Sequence, residues 1–271
     1  MSTLPHRSLA RLADRYGPLM TVRLGNSLCI VASSPSTARE ILQRHNASLS
    51  GRSPADAWRG AGHGANSVFV LQPHRKWRVL RRLGAAHLFS PKRLDELRND
   101  LFVGASDTSS NNIEWALAEL LQNPLTMRKL QEELKSVLGS KAQLQDSDTD
   151  RLPYLEAVVK ETLRLHSVVP LVSYRAEATV QVLGADVWTE PHRFIPERFL
   201  QRKVDYFSRS FDFLPFGSGR HMCLGLPLAN KHRFEWMLPE VSRRSGVDMT
   251  DKFGLVLSMA TPIPAIAKKK M

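Results

Sequence analysis

The chain has 271 residues, of which 42% are hydrophobic and 24% charged; this is ordinary globular composition, enough for one large domain or two small ones, and it excludes disorder of the whole. A formal net charge of +12 suits an acidic partner, an anionic membrane or nucleic acid, yet no aromatic-interleaved basic stripe or zinc-finger spacing accompanies it. Two cysteines, Cys29 and Cys223, exclude a dense disulfide framework and fit a reducing compartment.

Met1–Arg15 is polar and lacks a signal-peptide core, and no apolar run reaches the ~18 residues that cross a bilayer. The sequence by itself predicts a soluble or peripheral chain. Leu9–Tyr16 has helical apolar spacing and stops at Gly17-Pro18. Leu19–Leu24 and Ser27–Ala32 read as two strands around Gly25-Asn26, a two-residue hairpin signal. Pro35 opens a helix over Ser36–His45, and Arg52–Gly64 reads as loop or short helix. After Pro73 comes a helix over Arg75–Leu88, with Trp77, Leu80 and Leu83 expected on one side.

Leu101–Gln122 predicts a long helix, ended at Asn123-Pro124 because proline lacks an amide donor and clashes with the preceding turn. An amphipathic helix over Leu125–Leu138 stops at Gly139. Pro153 opens another, ending near His166. From Pro170 to Phe216 the chain reads as extended and irregular. A last helix begins after Gly225, and Lys252–Lys268 reads as closing β-structure and coil.

The most informative stretch is Phe216-Gly217-Ser218-Gly219-Arg220-His221-Met222-Cys223-Leu224-Gly225. Its glycines allow a tight turn with inward-pointing amides. A thiolate needs such help, because a free thiol is mostly protonated at neutral pH, and a following helix N-terminus also favours an anion. Phe216 can shield the sulfur, and Arg220 and His221 stand where anionic groups could be met. An inert cysteine in a glycine-rich turn is the plain alternative.

The spacing of Phe216, Gly219, His221, Cys223 and Gly225 resembles the cysteine signature of the cytochrome P450 superfamily, with histidine as an accepted variant at the basic position. The resemblance implies that Cys223 binds the iron of haem b as a thiolate. Three more stretches carry it. Glu161-x-x-Arg164 puts an acid and a base on one helical face, and Pro196-Glu197-Arg198-Phe199 resembles the segment whose arginine completes a structural triad, Glu161–Arg164–Arg198, locking the cysteine loop. Trp77 and Arg81, one turn apart, resemble the family's pair of haem-propionate contacts, as by position does Arg175. Gly104-Ala105-Ser106-Asp107-Thr108-Ser109 resembles the oxygen-groove motif, with Asp107 and Thr108 as the proton-delivering catalytic pair. Ala105 departs from it: the family usually has glycine there, and the extra methyl could crowd the oxygen pocket.

The wider context, including Tyr16-Gly17-Pro18-Leu19 and Gly51-Arg52-Ser53-Pro54, resembles plant microsomal members of the geraniol-hydroxylase-like, terpenoid-hydroxylating group. The fold class implied is mainly α with a small β region, a truncated cytochrome P450 fold. It would form a single incomplete domain over 1–271: an N-terminal part over 1–100, then the oxygen-groove helix to the C-terminus over 101–271. The activity implied is monooxygenation of a small apolar, terpenoid-like substrate with O2. Electrons would come from NADPH through cytochrome P450 reductase, at the cytosolic face of the endoplasmic reticulum membrane. Nucleic acid is not an expected partner. The membrane anchor and hinge of the family are missing from the start. The resemblance implies that further segments are cut out after Asp100, around Leu183-Gly184-Ala185, and between Lys231 and His232. Those gaps keep a non-catalytic haem-binding or non-functional product open as the alternative. They also predict poor stability, since each large apolar side chain left uncovered costs about 1.5–3 kcal/mol against a total of about 5–15 kcal/mol.

Overall fold

The computed structural model describes residues 4–25, 27–53, 67–68, 71–88, 102–139, 146–171, 174, 190–202, 204–207, 211–226, 234–237, 247–253, 256–262 and 266–269. The chain divides into two compact units. One takes residues 1–101, 171–189 and 205–227; the other takes 102–170, 190–204 and 228–271. Among the described residues helices dominate, and the strands occur as three antiparallel pairs.

In the first unit, helix α1 (Pro5–Tyr16) starts four residues earlier than the apolar spacing predicts, because Pro5 occupies the first turn, where its missing N–H costs nothing. It buries Leu9 and packs on β1. Strands β1 (Leu19–Leu24) and β2 (Ser27–Ala32) pair in the register Thr21↔Ile30 and Arg23↔Leu28. The alternation of a strand gives this hairpin a covered face with Met20 and a solvent face with Leu28 and Ile30, which are 68% and 69% exposed.

Helix α2 (Pro35–Arg39) is opened by Ser34, whose hydroxyl accepts from the Thr37 amide while Thr37 Oγ1 accepts from the Ser34 amide. It runs on as a π-turn over Glu40–Arg44. Helix α3 (Arg75–Leu83) likewise continues into a π-turn, Gly84–Leu88. Its inward stripe is Trp77, Leu80 and Gly84 rather than Trp77, Leu80 and Leu83. At 100° per residue, position 83 lies about 120° round the axis from position 77, and Leu83 is accordingly 48% exposed.

In the second unit, α4 (Phe102–Gln122), α5 (Pro124–Leu138) and α6 (Pro153–Leu165) match the predicted helices, each of the last two with proline at its first position. Leu120, Leu130, Tyr154 and Val158 form a buried cluster joining all three. Glu133 of α5 closes the N-terminus of α6: its carboxylate accepts from the Tyr154 amide at 2.7 Å and the Leu155 amide at 2.9 Å. A second cluster places Trp115 and Ala118 of α4 against Met259. His166 stacks on Trp115 with ring centroids 4.0 Å apart, and its Nε2 lies 2.7 Å from Glu119 Oε1.

The short helix α7 (Glu197–Gln201) falls in the stretch expected to be irregular. Pro196 presets its entry, and the five residues are too few to show a helical period. The helix expected after Gly225 lies, beyond Leu226, outside the described residues. Strand β3 (Phe234–Met237) pairs with β6 (Ile266–Lys269), and β4 (Asp251–Phe253) with β5 (Leu257–Met259), so closing β-structure is present as expected, together with an unforeseen partner strand. Among the described residues no helix is long and apolar enough to cross a membrane.

Candidate functional site

The cysteine loop is a backbone-closed turn. The Gly217 amide donates to Leu214 O at 3.1 Å, a 3-10 turn covers Gly219–His221, and the Cys223 amide donates to Phe216 O at 2.9 Å. Gly219 is required twice over. Its φ is +67°, and a Cβ there would lie 2.4 Å from Leu42 O and 2.1 Å from Asn46 Nδ2. At Gly225 a Cβ would stand 3.6 Å from Cys223 Sγ, ordinary contact distance. Cys223 is exposed, and the Phe216 ring packs edge-on against Tyr206 at 5.8 Å.

Helix α3 supplies the wall. Trp77 is buried, and its indole N–H, expected to reach a carboxylate, donates here to Val68 O at 3.0 Å. Arg81 Nη2 donates to Met222 O at 2.7 Å, one residue before the cysteine, and its guanidinium lies 5.4 Å over the Trp77 ring. His221 meets Trp77 edge-on at 5.0 Å. Its Nε2 is 2.9 Å from Ser50 O, and since a carbonyl only accepts, that nitrogen carries the proton.

The electrostatics are one-sided. Burial pushes His221 below the ordinary imidazole range; the bond to Ser50 opposes this, and Arg52, Arg81 and Arg220 add to it. Burial also lowers Arg81, which Cys223 counteracts and Arg52 reinforces. Cations gathered beside an accessible thiol favour anions. This donor set fits an iron porphyrin, with sulfur for the metal and guanidinium for the carboxylates; His221, whose one N–H is taken by Ser50 O, has no donor left for them.

Of the other predicted residues, Arg175 lies outside those described, next to Tyr174, which is described. Asp107 on α4 is exposed and Thr108 half-buried; the side chains at 102–106, including that of Ala105, lie outside the description. The Asp107 carbonyl accepts from Asn111 Nδ2 at 2.8 Å. In the second unit the triad is assembled. Glu161, fully buried, accepts from Arg164 Nε at 2.7 Å and Nη2 at 2.9 Å, from Arg198 Nε at 3.1 Å and from the Ile195 amide at 2.8 Å. Sequence reasoning missed Arg52 and Tyr174, whose groups stack 5.2 Å apart. They lie far apart in the chain, and nothing local to either signals the other.

A family model described as cytochrome P450 matches residues 1–99, 94–185 and 182–238. The first seam adjoins the expected break after Asp100, and the second coincides with the one around Leu183-Gly184-Ala185. Cytochrome P450 76T24 of Catharanthus roseus is 27% identical over 445 positions, covering 98% of this chain and 89% of that protein. Cytochrome P450 76C1 of Arabidopsis thaliana is also 27% identical, covering 98% and 88%. Ferruginol synthase of Salvia miltiorrhiza is 26% identical, covering 97% and 90%. A chain of 271 residues cannot fill an alignment of 445 positions, so internal segments of these relatives have no counterpart in it. A zebra fish cytochrome P450 solved with progesterone superposes with a TM-score of 0.74 at 18% identity, covering 98% of this chain and 99% of that one, a likeness of fold.

Proposed function

The chain belongs to the cytochrome P450 family, and on that premise we propose that it is a haem-thiolate monooxygenase acting on a small apolar, terpenoid-like substrate. The observation that carries this reading is the closed turn presenting Cys223, with Gly219 seated where no side chain fits. Bound there, haem b would supply activation of dioxygen and transfer of one oxygen atom to the substrate.

The chain's own contributions follow from its side chains. Cys223 would offer its sulfur to the iron, and the Phe216 carbonyl fixes its amide. Arg81 steadies the loop through Met222 O and would supply positive charge for porphyrin carboxylates, while His221, held neutral, braces the loop on Ser50 O. Asp107 and Thr108, adjacent on α4, would hold and pass protons at a carboxylate and a hydroxyl oxygen. Electrons would arrive from NADPH through a reductase, for which a net charge of +12 suits an acidic docking face. By family resemblance its place would be the cytosolic face of the endoplasmic reticulum membrane.

The test is the spectrum of the full chain loaded with haemin, reduced and exposed to carbon monoxide. A red-shifted band reporting thiolate ligation is expected, and its loss in Cys223→Ser. An unchanged band in that variant overturns the assignment. The missing internal segments favour a second reading, a haem-binding product without turnover. Haem uptake without oxygenated product, in the presence of reductase and NADPH, selects it.

A further inference from the structure

We propose that Gln72 is a positioning residue for the cationic face beside Cys223, because its side-chain amide pairs with both backbone polar groups of Arg52. The Arg52 amide donates to Gln72 Oε1 at 2.9 Å, and Gln72 Nε2 donates to Arg52 O at 2.6 Å. A side chain here imitates a strand partner, and it fixes both dihedral angles of the residue it holds. Only a carboxamide can do so, since it offers one donor and one acceptor on the same terminal carbon.

What Arg52 carries explains why its backbone is held. Its guanidinium lies 5.2 Å over the Tyr174 ring, and that ring is 5.7 Å from His221. His221 meets Trp77 at 5.0 Å, and Arg81 covers Trp77 at 5.4 Å. Three rings thus lie in series between the cations Arg52 and Arg81. Two residues before Arg52, Ser50 O receives the His221 ring N–H. Gln72 itself stands three residues ahead of α3, which bears Trp77 and Arg81. It therefore ties the 50–52 backbone to the entrance of that helix, and the series of rings capped by two arginines spans the two. The value of that series for an anionic prosthetic group rests on the function proposed above; the clamp on Arg52 does not.

The experiment uses the full chain with Gln72→Met, equal in length but with neither donor nor acceptor, and Gln72→Glu, which keeps the acceptor, loses the donor and adds a negative charge. Without haemin, hydrogen exchange of the Arg52 amide is expected to be slow in the parent and about tenfold faster or more in Gln72→Met, while the α6 amides keep their rates. With haemin, titration of the main absorption band is expected to show about tenfold weaker binding for Gln72→Met, and weaker still for Gln72→Glu. Stability is expected in the opposite order, because Gln72→Glu retains one of the two bonds. A merely structural role would make both orders agree, and that result overturns the proposal. So does an Arg52 amide that exchanges at the unstructured rate in the parent, a measurement independent of whether either variant folds. If the parent takes up no haemin, the functional reading fails, and the exchange rates alone decide the role of Gln72.

Discussion

Arg198 on α7 donates through Nε to Glu161 on α6 at 3.1 Å, although 37 positions separate them. Glu161 is wholly buried, and Arg164 shares its carboxylate. Deleting the acid leaves two guanidinium groups, largely removed from water, with their shared anion gone. Glu161→Ala is therefore expected to destabilise the second unit by about 3–5 kcal/mol. Urea unfolding followed by circular dichroism measures it. Replacing Glu161, Arg164 and Arg198 together with apolar residues of similar size is expected to recover much of the loss, and a loss below about 1 kcal/mol for Glu161→Ala alone would refute the account.

Tyr154 gives the fold an alkaline limit. Burial first, then its hydrogen bond to Glu197 and the negative charges of Glu197 and Glu133, push the phenol up to about 12. In the unfolded chain it ionises near its ordinary value of 10.0. The stability it contributes is thus complete below pH 10 and is lost as pH rises through about 12. Tyr154→Phe is expected to flatten that decline, by about 1–2 kcal/mol across the window. Thermal midpoints recorded from pH 8 to 12 check it; an equally steep fall in the variant contradicts the cause given.

Gly219→Ala tests the tightest point of the cysteine loop. The left-handed φ alone costs an alanine about 1–2 kcal/mol, and the new methyl would press on the Leu42 carbonyl. The loop must shift, carrying Cys223 with it. Haemin affinity is expected to fall at least tenfold, while Gly225→Ala, with ordinary contact distance to spare, is expected to be milder. The reverse ranking in a haemin titration would count against this geometry.

Leu28 and Ile30 project from the outer face of the first hairpin into solvent. The chain is expected to self-associate at micromolar concentration, and Leu28→Thr with Ile30→Thr to reduce this while changing stability by no more than about 0.5 kcal/mol. Light scattering against concentration decides it. A monomer that unfolds cooperatively with both residues in place would argue that these side chains are harmless.

Much of this was legible before any coordinates. Proline and glycine punctuated the helices: Pro35 and Pro153 marked starts, and Pro124, read as the stop of α4, is also the first residue of α5. The alternation around Gly25 gave both strands of the hairpin to the residue. The family resemblance brought Glu161, Arg164 and Arg198 onto one carboxylate, whereas the bond from Arg81, expected at a propionate, to Met222 O was not foreseen. Three further things escaped. The Leu83 orientation turned on 120° of helical phase, which a loose reading of three apolar residues ignores. Helix α7 was too short to carry a period. Gln72, Arg52 and Tyr174 meet through a side chain pairing with backbone and a ring receiving a cation, and neither interaction leaves a pattern along the chain.

The first unit is not contiguous: it needs residues 1–101, 171–189 and 205–227. During synthesis its first and largest segment emerges long before Cys223 and the segment that closes it. At about 5–20 residues per second, the ribosome takes roughly 5–20 s to travel from the end of the first segment to the start of the third. For that interval the hairpin, α2 and α3 wait without their partner, exposed to chaperones and proteases. A nascent chain arrested near residue 110 and one arrested beyond residue 260 should therefore differ sharply in protease resistance over the same N-terminal hundred residues.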